Sequence, residues 1–121
     1  MPDFIPQSEE ERTESAKRWE NERSKRDSLV PQYMRDVGVD WDLIQQTMQF
    51  DGKGHFTETS IRASILIHIK LAQKRGIPQK LSFFYEKIYL NILNTVISEF
   101  EMNGHQIKSS RSDMAIDLLV F

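Results

Sequence analysis

Cysteine is missing from this 121-residue sequence, and its absence excludes several kinds of chemistry. The chain can form no disulfide, no thiolate nucleophile and no zinc site with sulfur ligands. A cysteine-free chain fits a reducing cytosol, so we expect a cytoplasmic protein. Long apolar runs are missing too, because polar residues such as His68, Lys70 and Asn91 interrupt them before the roughly 20 residues that a membrane span needs. Without such a run we expect no membrane partner. The N-terminus has neither the basic nor the apolar region of a secretory signal, so we expect no such signal.

A large excess of charge of one sign is also absent. The formal net charge is −2, which gives no overall attraction to nucleic acid or to a membrane surface. Hydrophobic residues make up 39% of the chain and charged residues 28%, so the composition predicts a folded domain with a real core. Any electrostatic partner must therefore be recognised by local charge.

Motifs that carry chemistry are missing as well. His55, His68 and His105 lack the spacing of metal ligands, and no carboxylate stands four residues from His68. Residues 51–54 (Asp-Gly-Lys-Gly) match neither a phosphate-binding loop nor a calcium loop, and they predict a turn. No serine lies in a Gly-x-Ser-x-Gly elbow. We therefore expect no catalytic residue, no metal and no cofactor, and a protein that is not an enzyme.

The N-terminal segment, in contrast, is rich in charge and poor in apolar groups. Residues 1–28 predict a charged helical arm, whose acidic residues come first and basic residues last, the order that a helix dipole favours. Within residues 8–27 the one large apolar side chain is a tryptophan. Tryptophan and arginine dominate interface hot spots, so the candidate partner-binding residues are Trp19, Arg18, Arg23 and Arg26. The alternative is a solvated helix with no binding role.

Residues 29–121 predict a single α-helical domain. Asp40 is a candidate N-cap for one helix, and Thr57 for a second that continues to Arg75 and stops at Gly76. The second helix has a rival interpretation as a strand, because apolar residues alternate at Ile65, Ile67, Ile69 and Leu71. The length of the pattern and the glycine after it favour a helix.

Further apolar periodicity predicts a helix from Phe84 to Phe100, with Asn103 and Gly104 as its stop. The polar stretch 105–113 follows, and then the apolar stretch 114–121, which predicts a short helix or an edge strand. The expected fold is therefore mainly α. It is a small bundle of three to four core helices, with a charged N-terminal helical arm and a short apolar C-terminal segment.

Basic residues gather around Gly76, and no acidic residue stands between Thr59 and Tyr85. A basic corner between two helices is one geometry that contacts DNA. The candidate nucleic-acid contacts are Lys70, Lys74, Arg75 and Lys80. Basic residues at a helix C-terminus are also favoured by the helix dipole alone, without any ligand.

These features favour a non-enzymatic interaction protein, such as an adaptor, an inhibitor, a chaperone-like protein or a regulatory subunit. Its expected partner is another protein or a second copy of itself. The small size suits an accessory protein of a bacterium or a phage. The alternative is a nucleic-acid-binding regulator that uses a helix-turn-helix-like corner around residues 70–80.

Overall fold

The computed structural model describes residues 17, 18, 21 and 25–121. The helices and strands along residues 32–120 are α1 (Gln32–Asp36), α2 (Trp41–Thr47), α3 (Glu58–Arg75), β1 (Gln79–Phe84), α4 (Leu90–Met102), β2 (Ile107–Arg111) and β3 (Ala115–Val120). A 3-10 turn, Tyr85–Lys87, lies between β1 and α4, and residues 25–27 are also helical. Within the described residues no helix is both long and apolar enough to cross a membrane.

The predicted starts of α2 and α3 are confirmed by their caps. The side chain of Asp40 accepts a hydrogen bond of 2.9 Å from the backbone N–H of Leu43. The Thr57 hydroxyl accepts one of 3.2 Å from the backbone N–H of Ser60. Gly76 ends α3 in the left-handed region, with φ at 69°, a conformation that costs glycine least. The helical interpretation of this segment is therefore confirmed.

Alternate residues of α3 are buried because the helix is covered on two sides. One set belongs to the core shared with the sheet and α4, and it comprises Ile61, Ile65 and Ile69. The other set packs in a smaller cluster with residues of and around α1 and α2, and it comprises Ile67 and Leu71. The alternation that resembles a strand in the sequence thus comes from a central helix between two apolar layers.

The predicted start of the last helix at Phe84 is wrong. Residues 79–84 form strand β1, and α4 begins only at Leu90. In β1 the side chains of Leu81 and Phe83 point toward the core while Lys80 points away, so the period is two residues, as in a half-buried strand. The predicted stop is confirmed, since Asn103 is the C-cap of α4.

The C-terminal segment is neither a helix nor an edge strand. It forms β3, the central strand of a three-stranded antiparallel sheet in the order β1-β3-β2. Its core-facing residues Ile116, Leu118 and Val120 are buried. The prediction of a mainly α bundle is therefore wrong, and the described chain is an α+β domain. Each strand has only five or six residues, so each shows too few alternations to outweigh the helical pattern nearby.

Candidate interaction surface

The sheet has two faces, and the described helices cover only one of them. Side chains alternate along a strand, so residues that neighbour the core-facing ones point to the opposite side. The register of the sheet places eight residues there, and we call this surface the outer face: Lys80, Ser82, Phe84, Lys108, Ser110, Ala115, Asp117 and Leu119. Within residues 25–121 no helix packs on the outer face, because α3 and α4 share the core on the other side.

Two large apolar side chains of the outer face are exposed. Phe84 is 55% exposed at one end of β1, and Leu119 is 36% exposed near the end of β3. Met114, which is 69% exposed, stands beside Phe84 in the turn that leads into β3. A groove of about 260 Å³ adjoins Leu119. Aromatic residues and methionine are enriched in protein interfaces, so these exposed side chains are candidate contacts for a partner.

The charges of the outer face are partly paired. Asp117 lies at its centre, where it accepts a hydrogen bond from the Ser82 hydroxyl and stands 3.8 Å from the Lys80 ammonium. Lys108 is placed differently, with its ammonium 5.5 Å from the centre of the Phe121 ring. Among the described residues no carboxylate forms an ion pair with Lys108, so this ammonium is available to an acidic ligand.

No protein-family model, curated protein or solved structure matches this chain. The function must therefore be inferred from the surface itself.

The residues predicted to bind a partner through the arm are only partly described. Arg18 and Arg26 are exposed. Trp19, the proposed anchor, and Arg23 lie outside the described residues. The binding role of this segment stays a prediction, and so does the division of the chain at residue 28.

The basic residues around Gly76 do not form a helix-turn-helix corner, because α3 is followed by a strand. Lys70 stands beside Gly38, in the turn between α1 and α2, and Arg75 lies 4.9 Å from the centre of the Tyr33 ring. Lys80 lies on the outer face. Lys74 is exposed in the last turn of α3. The structure thus divides these residues among different surfaces, and their contact with nucleic acid stays a prediction.

A polar cluster joins the loop after α2 to the segment before α4. The predicted turn at residues 51–54 is confirmed, and the Asp51 carboxylate accepts hydrogen bonds of 2.9 Å from the backbone N–H groups of Lys53 and His55. The Tyr89 hydroxyl donates a further bond of 2.9 Å to Asp51. The His55 ring stacks on Tyr89 with ring centres 4.5 Å apart. Across the described part of the chain no three His, Asp or Glu side chains converge as metal ligands.

These contacts change two pKa values in opposite directions. The hydrogen bond from the His55 backbone is the largest cause that lowers the pKa of Asp51, and the bond from Tyr89 adds to it. Donation to the carboxylate raises the pKa of Tyr89, because the phenol loses this bond on ionisation. The cluster therefore holds an ionised Asp51 as the acceptor at the centre of the loop.

Asp51→Asn tests this loop through the pH dependence of stability. A carboxyl whose pKa is lowered on folding stabilises the protein above its unfolded value, which for Asp51 is 3.8, and the effect is lost as the pH falls through the folded value. The stability advantage of wild type over the variant should therefore be largest near neutral pH and shrink below 3.8. Urea unfolding at several pH values measures it, with Asp113→Asn as a surface control. A difference that does not change with pH would contradict the lowered pKa.

Sequence reasoning missed the residues that define this surface. The sequence pattern predicts a helix at Phe84 and gives no indication that Lys108 or Leu119 is a site residue. For Phe84 and Leu119 the signal that could have found them is the alternation of polar and apolar residues from Lys80 to Phe83 and from Ile116 to Leu118, which indicates the strands that carry them. Their meeting on one face depends on strand order and register, which the sequence does not display.

Proposed function

We propose that this chain is a non-enzymatic interaction or regulatory protein that binds another protein through the outer face of its sheet. The observation that supports the proposal is the exposure of Phe84 and Leu119 on a face that no described helix covers. Burying apolar area contributes about 25 cal/mol per Å², so these two side chains could anchor a partner. A cytoplasmic location is part of the proposal and rests on the cysteine-free composition.

The chemistry of the outer face indicates what such a partner presents. Apolar side chains would cover Phe84 and Leu119, and a carboxylate would pair with Lys108. Asp117 is already engaged by Ser82 and Lys80, so it adds little repulsion toward an acidic partner. A protein surface of mixed apolar and acidic character fits these requirements.

Replacing Leu119 with Asp should abolish partner binding without unfolding the protein. The change puts a charge at one of the two apolar anchors of the outer face, and we expect a loss of affinity of at least about tenfold. Met102→Asp is the control, because Met102 is 87% exposed at the end of α4, on a different element of the fold. The partner is identified by affinity purification, and its binding is then measured between purified components by calorimetry.

Equal binding by wild type, Leu119→Asp and Met102→Asp would contradict this role of the outer face. Titration with double-stranded DNA at two salt concentrations tests the alternative. A slope of several units of log affinity against log salt would favour nucleic acid. If neutralising Lys74 and Arg75 then removed that affinity, a nucleic-acid-binding regulator would replace the proposed function.

A further inference from the structure

The hydrogen bonds at the two ends of the β2–β3 ladder determine which backbone groups of β2 point outward. The Phe121 N–H donates to the Gln106 carbonyl at 3.3 Å, and the Ser112 N–H donates to the Ala115 carbonyl at 2.9 Å. In an antiparallel pair, hydrogen-bonded residues alternate with residues that face away from the partner strand. Even-numbered residues of β2 therefore bond to β3. The N–H and C=O groups that face the open edge belong to Ile107, Ser109 and Arg111.

This edge is uncovered in the described part of the chain. No described backbone or side-chain group donates to or accepts from the outward groups of Ile107, Ser109 and Arg111. Ser109 and Arg111 are also exposed. The other edge strand, β1, differs in charge, because its single basic residue, Lys80, already stands 3.8 Å from the Asp117 carboxylate. An open row of strand donors and acceptors can pair with a further strand.

The charge of β2 defines the strand that would fit beside it. The segment Ile107–Arg111 contains two basic residues and no acidic one. Lys108 belongs to the outer face, and Arg111 points to the opposite face because the two are three positions apart. In a neighbouring antiparallel strand, two residues that are three positions apart would lie opposite Lys108 and Arg111. Carboxylates at those two positions would form cross-strand ion pairs on both faces of the sheet.

The edge fits a peptide better than nucleic acid. It presents N–H donors and C=O acceptors in alternation, and a peptide strand supplies a partner for each of them. A phosphate backbone offers acceptors alone and would leave the carbonyls of Ile107, Ser109 and Arg111 without donors.

We propose that β2 accepts an antiparallel strand from an acidic partner segment, whose carboxylates, three residues apart, pair with Lys108 and Arg111. This inference rests on the proposed function, since it takes the ligand to be a protein. It adds the place of contact, the open edge of β2, and the chemistry of the segment that binds there.

A short synthetic peptide tests the proposal directly. The probe is a fluorescein-labelled strand of alternating threonine and valine that carries two glutamates three residues apart, and its binding is followed by fluorescence anisotropy. We expect saturable binding that weakens about tenfold when the two backbone amides facing β2 are N-methylated, because methylation removes donors and leaves the charges unchanged. A probe with lysines in place of the glutamates should bind no more tightly than the methylated peptide. No saturable binding, or equal binding of the methylated peptide, would overturn the proposal.

Variants of the protein separate edge pairing from general attraction. Ser109→Pro removes an outward N–H that makes no bond within the sheet, so the fold should persist while the probe loses affinity. Reversing both charges, with Lys108→Glu and Arg111→Glu, should move the preference to the lysine peptide. An effect of charge reversal without any effect of Ser109→Pro would overturn strand addition.

The proposed function can survive the failure of this inference. If a natural partner depends on Leu119 but is insensitive to Ser109→Pro, the outer face binds proteins and the edge of β2 does not. Sedimentation of the full chain tests another occupant. If the chain forms a dimer that Ser109→Pro dissociates, the occupant of the edge is a second copy of the chain. That result would overturn the proposal of an acidic partner segment.

Discussion

Phe83→Ala should lower the free energy of unfolding by about 3–5 kcal/mol, whereas Phe84→Ala should lower it by less than about 1 kcal/mol. The two phenylalanines are adjacent in β1 but lie on opposite faces of the sheet. Phe83 is 2% exposed, belongs to the main core and meets the ring of Phe56 edge to face. Phe84 is 55% exposed on the outer face. Truncating the first leaves a cavity, and truncating the second mainly removes surface that water already contacts.

Chemical unfolding of both variants measures the difference, and the dependence of stability on denaturant shows whether the comparison is valid. An unchanged slope would indicate that each variant still unfolds from the same compact state. Similar losses for Phe83→Ala and Phe84→Ala would contradict the strand, because residues next to each other in a strand cannot share a face. The Phe84→Ala variant also serves the binding experiment, where a stable protein with weaker partner binding is expected.

The sequence predicts α2 and α3 well because their starts depend on local chemistry. Asp40 and Thr57 bond to backbone N–H groups three residues away, so each cap is complete within one turn of chain. Gly76 ends α3 through its own backbone conformation. None of these contacts needs a distant partner, and a local pattern is sufficient to indicate them.

The sheet could not be predicted in the same way, because its strands are stabilised by residues far away in the sequence. Phe83 pairs with Ile116 across the sheet, and the local sequence around either residue does not predict its partner. The strand β2 carries a polar sequence because it is an edge with exposed side chains, so its pattern resembles a loop. The apolar C-terminal segment became central because β1 and β2 both pair with it.

The candidate site follows from the same long-range pairing. Phe84 and Leu119 share the outer face only through the register of β1 with β3. The fold also separates residues that are close in the sequence. The basic residues around Gly76 lie apart because β1, which follows the turn, places Lys80 on the outer face of the sheet. Proximity in the sequence is therefore a poor guide to which residues share a surface.

Leu93→Ala should destabilise the protein by about 2–5 kcal/mol, depending on how far the neighbouring side chains close the cavity. Leu93 is fully buried on α4, in the core that joins α3 to the sheet, so its removal affects the packing between all three. Leu29→Ala is the matched control, because Leu29 is 69% exposed and should lose less than about 0.5 kcal/mol. Urea unfolding of both variants provides the measurement. A loss below about 0.5 kcal/mol for Leu93→Ala would contradict the burial of this residue in the core. It would also contradict the packing of α4 on the sheet, and that packing is the reason why the outer face is the exposed side.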